Sequence, residues 1–204
     1  MASYSEVANN FLPRFGWPLF KLVVFFSALV PFILLLQTLL TGQLGPNPID
    51  TLTDKTGTLA IRFLLISLAL TPLRLLLKAT WPIRLRRMLG LFAFFYAALH
   101  VSIYFGLDQQ LDFAAIWEDL AERPYVLAGT VAFLILITLA ITSPKAMVRR
   151  LGGKRWASLH RWVYIAGTAA VAHYVWLAKG DLIEPFVYLW VLLVFFSYRL
   201  VKNL

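Results

Sequence analysis

Six stretches of about twenty mostly apolar residues, at 19–40, 58–77, 88–107, 125–142, 160–178 and 184–201, dominate this chain of 204 residues. A helix needs about 20 such residues to cross the hydrocarbon core of a bilayer. Within that core every backbone polar group must find a partner inside the protein, so a run of this length has few alternatives to a transmembrane helix. The runs are continuous rather than alternating, which excludes a β-barrel. Composition agrees, with 60% apolar residues, 14% charged residues and a mean hydropathy of +0.75. Soluble domains sit near ~45–50% apolar and ~25% charged, so this surface requires lipid, and disorder is excluded. The expected fold class is all-α, a polytopic membrane helix bundle with six transmembrane helices. A short polar tail is expected over 1–18, the membrane domain over 19–201 and a C-terminal end over 202–204. The first run is too long for a signal-peptide core and is followed by GQLGPNP rather than a cleavage site. Pro31 and Pro72 fall inside the first two spans and are expected to kink them locally.

A net charge of +9 would suggest nucleic acid in a soluble chain. Here the charges alternate from loop to loop. Arg74, Lys78, Arg84, Arg86 and Arg87 surround the second loop, and Lys145, Arg149, Arg150, Lys154, Arg155 and Arg161 the fourth. The third loop instead holds Asp108, Asp112, Glu118, Asp119 and Glu122 against Arg123, while the first and fifth carry Lys55 and Lys179. Excess Lys and Arg mark the cytoplasmic side. Both termini, with Arg14 and Lys21 at one end and Arg199 and Lys202 at the other, are therefore expected to be cytoplasmic. The basic charge is a topology signal and needs no nucleic-acid partner. The acidic third loop reads as solvated, with partner docking as the alternative. Arg62, near the outer end of the second span, is expected to snorkel to the interface, and Trp17, Trp81, Trp117, Trp156 and Trp176 to form interfacial belts. The Gly152–Gly153 pair reads as a turn.

Chemistry rests on three histidines. His100 lies thirteen residues beyond Arg87 in the third span, and His173 thirteen beyond His160 in the fifth. Each is thus ~20 Å from the cytoplasmic mouth at ~1.5 Å per residue. Both spans run in the same direction, so the two imidazoles reach matching depth. A single membrane histidine often serves as an interhelical hydrogen bond, but ionisable groups at this depth are expensive and usually functional. Two facing imidazoles are what a six-coordinate haem iron takes as axial ligands. Zinc or copper would want further ligands, and no Cys, Asp or Glu lies at that depth in either span. With no cysteine in the chain, covalent haem attachment and thiolate metal sites are excluded. His160 has no fourth histidine to face. At its depth on the third span stands Arg86, fourteen residues before His100 and within ~40° of the same helix face. Arg86 is a topology charge, a partner for a haem propionate, or the residue opposite His160 at an inner haem. The thirteen-residue spacing of His160 and His173 is about 140° off one face of an ideal helix, so the fifth span must tilt, bend or offer its histidines from different sides. Phe92, Phe94, Phe95 and Tyr96 either line a porphyrin or pack helices.

The segments RRMLGLFAFFYAALH (86–100), RPYVLAGT (123–130), TSPKAMVRRLGGKRWASLHRWVYIAG (142–167) and HYVWLAKG (173–180), with LGPNPID (44–50) and LTPLR (70–74), resemble the MsrQ family, haem-binding membrane subunits of bacterial periplasmic methionine-sulfoxide reductase systems. That family lies within the ferric-reductase-like transmembrane superfamily, whose members hold two stacked haems between histidine pairs spaced fourteen and thirteen apart. Here the thirteen-spaced pair is His160 and His173, and the fourteen-spaced pair is Arg86 and His100. The resemblance implies a haem b between His100 and His173, and at most one more at His160 with Arg86. It implies a b-type cytochrome of the bacterial inner membrane, an electron-transfer subunit with substrate reduction on its partner. Electrons would come from the quinone pool or a cytoplasmic flavin donor and pass to MsrP, a soluble periplasmic molybdenum-containing reductase that repairs oxidised envelope proteins. FMN binding is implied without an identified site. No flavin or nicotinamide domain is expected beyond the spans. The alternatives are another ferric-reductase-like electron carrier or a transporter using the histidines as a relay.

Overall fold

Each of the six apolar runs forms a helix in the computed structural model, which describes residues 16–178 and 182–202. Residues 1–15 of the expected tail with Arg14, Lys179 of the fifth loop and the last two residues lie outside the described residues. The elements are α1 (Gly16–Leu40), α2 (Pro48–Leu76), α3 (Trp81–Ile103), a π-helical turn (Tyr104–Asp108), α4 (Phe113–Glu122), α5 (Pro124–Ile141), α6 (Lys145–Leu151), α7 (Gly153–His160), α8 (Val163–Leu177) and α9 (Ile183–Lys202). Four of them, Gly16–Leu40, Pro48–Leu76, Trp81–Asp108 and Pro124–Ile141, are long and apolar enough to cross a membrane. The apolar helix α8 has 15 residues, and the apolar part of α9 runs over Ile183–Tyr198. No strand occurs among the described residues.

Proline starts several of these helices. Pro48, Pro82 and Pro124 occupy the first turns of α2, α3 and α5, where the missing N–H would have had no helical partner anyway. Pro31 and Pro72 lie inside α1 and α2, and both helices continue through them.

Two helix pairs carry the packing, α2 against α3 and α5 against α8, and α9 closes against α8 and α2. Their shared core joins Ile61, Leu64 and Leu68 of α2 to Ile135 and Leu139 of α5 and to Leu192 of α9. Ala93 and Ala166 are fully buried in it. Small residues at such positions let membrane helices approach closely, and packing rather than water exclusion then holds them. By contrast α1 is peripheral. Ala28 is its one buried residue among those described, while Leu22, Phe26, Ile33 and Leu40 stand exposed, as lipid-facing side chains do. One attachment is Tyr96 of α3, fully buried, whose hydroxyl donates to the Ala28 carbonyl at 2.7 Å, and Phe20, Phe25 and Phe32 of α1 add ring contacts to Trp81, Phe92 and Phe95.

One expectation changes. The fifth span does not begin at residue 160: His160 ends the separate helix α7, and α8 starts at Val163. Between them Arg161 N–H bonds the Ser158 carbonyl and Trp162 N–H the Leu159 carbonyl, the tighter three-residue pattern that ends or bends an α-helix. Much of the acidic third loop is helical, and Asp108, Asp112, Glu118 and Glu122 are exposed to solvent as expected. Asp112 caps α4, accepting from the Ala114 and Ala115 amides at 2.9 and 3.2 Å, and the buried Asp119 accepts from the Tyr104 hydroxyl at 2.8 Å and pairs with Arg123 at 3.2 Å. Of the two readings of the aromatic run on α3, helix packing is the one the contacts show: Phe92 and Tyr96 join α1 and Phe63, and Phe94 stacks on Phe133 of α5. The Gly152 turn is present, with φ of 78°, between α6 and α7.

Candidate functional site

His100, three residues from the end of α3, and His173, in the last half of α8, come together with ring centroids 6.1 Å apart and planes at 82°. Each belongs to a different helix pair, and each is anchored on its own pair. His100 Nδ1 lies 2.9 Å from the Thr53 carbonyl of α2, and His173 Nδ1 lies 2.7 Å from the Tyr125 carbonyl of α5. A carbonyl oxygen only accepts, so both Nδ1 atoms carry the proton. The lone pair of each ring is then on Nε2, the tautomer a metal-binding imidazole needs. Two nitrogen–metal bonds of about 2 Å each, with about 1 Å from ring edge to centre on both sides, span about 6 Å. The pair is therefore spaced for one metal centre between two imidazoles. No group of three or more His, Asp, Glu or Cys side chains gathers among the described residues, so a site demanding three or four protein ligands has no candidate there.

His160 is arranged differently. Its Nε2 lies 3.1 Å from the Thr142 hydroxyl, and its ring stacks on Trp156 at 4.0 Å and 26°. The Trp156 indole N–H donates to the Thr142 carbonyl at 2.8 Å, so α7 is tied to the end of α5 by both side chains. Trp156 thus has a specific contact beyond the interfacial belt expected of it. Arg86 of α3 stands within electrostatic reach of His160, which puts the two basic loops at the same end of the bundle. The structure does not bring His160 to the His100–His173 pair.

Arg62 also departs from expectation. Instead of snorkelling alone, its guanidinium bonds Glu184 of α9 at 2.6 Å and the Tyr188 hydroxyl at 2.7 Å. Tyr174 of α8 donates to the other Glu184 oxygen at 3.2 Å, and Tyr188 bonds Glu184 as well. The α9 helix supplies the counter-charge, which sequence reading had no means of pairing with a residue 122 positions away. Beside this cluster a cleft of about 470 Å³ opens between α1 and α2, lined in part by Thr38, Asp54, Lys55 and Thr58.

Sequence reading missed the residues that seat the two histidines. Gly57 and Gly129 lie under the rings: a Cβ built on them would stand 3.0 and 2.9 Å from Nδ1 of His100 and His173. The available signal was a glycine inside each of two otherwise well-filled apolar helices, both followed by threonine.

Residues 56–171 match the family model described as ferric reductase like transmembrane component. Curated relatives named protein-methionine-sulfoxide reductase heme-binding subunit MsrQ align over most of the chain. The one from Rhodospirillum rubrum is 48% identical over 181 residues, covering 89% of this chain and 87% of its own. That from Herminiimonas arsenicoxydans is 47% identical over 83% of this chain and 79% of its own. The Deinococcus radiodurans relative is 46% identical over 78% of both chains. No solved structure matches the chain.

Proposed function

The chain belongs to the MsrQ family, within the ferric-reductase-like transmembrane proteins, and from that premise we propose that it binds haem b between His100 and His173 and carries electrons across the bacterial inner membrane to a methionine-sulfoxide reductase. The observation that carries this reading is the 6.1 Å separation of two imidazoles, both held as the Nδ1–H tautomer. Bound there, haem supplies an iron that accepts and releases single electrons. Attachment is non-covalent, because the chain has no cysteine.

The residues around the pair bind, orient and exclude. His100 and His173 would hold the cofactor through Nε2, and the Thr53 and Tyr125 carbonyls hold the rings. Six spans with both termini cytoplasmic follow from the loop charges, and set the basic end with His160 inward and the Asp119 end outward. Electrons enter at the basic end from the quinone pool or a flavin donor, FMN included, and leave at the outer end to the periplasmic molybdenum-containing MsrP. The inner end offers one imidazole, so a second haem there would be held from one side by His160, with Arg86 as a partner for a propionate.

The test is a reduced-minus-oxidised spectrum with pyridine haemochrome quantitation on the purified protein and its His100→Ala and His173→Ala variants. A b-type spectrum lost in both variants is expected. Wild-type haem content in folded His173→Ala protein would overturn the assignment.

A further inference from the structure

The two histidines share a seat built from backbone alone. In an α-helix the carbonyl of residue i points along the axis toward residue i+4, and each Cα–Cβ bond tilts back toward the N-terminus. The side chain at i+4 therefore leans over the carbonyl of residue i and hides its free lone pair. Here the carbonyls that hold the rings belong to Thr53 and Tyr125, and four residues on from each stands a glycine, Gly57 and Gly129. The same device occurs twice, on two different helix pairs, and the chain distance from carbonyl to histidine is 47 residues in one and 48 in the other.

We infer that Gly57 and Gly129 are positioning residues for the cofactor: each opens a notch through which an imidazole reaches a helical carbonyl, which fixes its tautomer and turns Nε2 toward the other ring. This rests on the haem reading for its purpose, while the notch itself is a property of the protein without cofactor. The acceptors are main-chain atoms, and they depend on side chains through what is absent above them. An alanine methyl at Gly129 would sit 2.9 Å from His173 Nδ1, closer than real contacts allow, and at Gly57 3.0 Å from His100 Nδ1. The imidazole is rigid and held on its helix, so at Gly129 the ring must shift, and at Gly57 it must give by a few tenths of an ångström, which in each case moves it against the carbonyl that holds it. Gly90 provides a control: it lies inside α3, and a Cβ there meets only Ser67 Oγ at 4.0 Å.

The experiment uses the full chain, produced without haem and titrated with haemin, as wild type, Gly57→Ala, Gly129→Ala, Gly90→Ala and His173→Ala. Removing a partner that orients a metal-bound histidine weakens metal affinity by about 10–100-fold, and that loss is expected for Gly129→Ala and Gly57→Ala, with Gly90→Ala within about twofold of wild type. The second readout needs no cofactor. Nitrogen-15 histidine spectra of the haem-free protein should show the Nδ1–H tautomer for His100 and His173, and each glycine variant should lose it at its own histidine alone. Retention of both the tautomer and the affinity in the two variants, with binding lost in His173→Ala, overturns the inference and leaves the haem reading intact. Haemin binding undiminished in His173→Ala overturns the haem reading, and the spectra still decide the notch. Should Gly129→Ala fail to fold, Gly57→Ala carries the same test on a separate helix. An Nε2–H tautomer at either ring in the wild type refutes the notch outright.

Discussion

Tyr96→Phe and Tyr96→Ala separate two contributions that fasten α1 to the bundle. The Tyr96 side chain is fully buried, with its ring parallel to Phe63 at 5.3 Å and edge-on to Phe95 at 5.2 Å, and its hydroxyl on the Ala28 carbonyl at 2.7 Å. Losing the hydroxyl forfeits one hydrogen bond. Such bonds contribute about 1 kcal/mol net in proteins generally, and interhelical ones in membranes average about 0.6 kcal/mol. Tyr96→Phe should therefore cost about 0.5–1 kcal/mol, or two- to five-fold in the unfolding equilibrium at about 1.4 kcal/mol per tenfold. Losing the ring opens a void that lipid cannot fill, because none of the side chain is exposed. Aromatic-to-alanine changes in cores cost about 3–5 kcal/mol. Since helix association in lipid gains from packing more than from water exclusion, the lower end applies, near 3 kcal/mol. Detergent-micelle unfolding by dodecyl sulfate titration measures both, and hydrogen exchange locates the effect. Because Ala28 is the one buried residue described in α1, faster exchange should concentrate in α1 and spare α5 and α8. A Tyr96→Ala cost within about 1 kcal/mol of Tyr96→Phe, or exchange that rises equally in every helix, would refute the reasoning.

Two further outcomes follow from the contacts. His160→Ala removes a partner of Thr142 and Trp156 without touching the outer pair, so on the proposed function a haem at His100 and His173 should keep its spectrum while reduction from the basic end slows; spectral loss of that haem would show that the two ends are not independent. For Arg62 and Glu184, whose side chains are 52% and 41% exposed, solvent and headgroups screen the pair, and a double-mutant cycle with Arg62→Met and Glu184→Gln should give a coupling of about 0.5–1 kcal/mol. A coupling above about 3 kcal/mol would mean the pair is effectively buried.

The run lengths made the helices legible, because the bilayer sets the length of whatever crosses it. The pairing of His100 with His173 was legible because the two stand equally far in sequence from basic mouths on spans that run the same way, although for His173 that count crosses a break in the helix. Other features depend on what a residue meets across helices, and one-dimensional patterns do not carry that. Arg62 reads as a snorkelling cation until α9 delivers Glu184 to it. Asp119 reads as one more loop charge until Tyr104, the first residue of the π-helical turn after α3, donates its hydroxyl to it. The mismatch of thirteen residues between His160 and His173 looked like a fault in ideal-helix geometry, and the tightened turn at Ser158–Trp162 removes it, since the two histidines are not on one helix. Gly57 and Gly129 were the hardest to see, because their contribution is a missing atom beneath a ring that is distant in sequence.

The two imidazoles sit on opposite sides of a seam, one fixed to the α2–α3 pair and the other to the α5–α8 pair. A ligand held by both would therefore be a staple across the seam. Binding and closure are then linked: whatever free energy the ligand gains from having both rings in place also favours the joined arrangement of the halves, by an amount that grows with ligand excess over its dissociation constant. Cofactor supply would in this way set the lifetime of the folded subunit in the membrane, and cofactor-starved cells would hold less of the protein as well as less active protein.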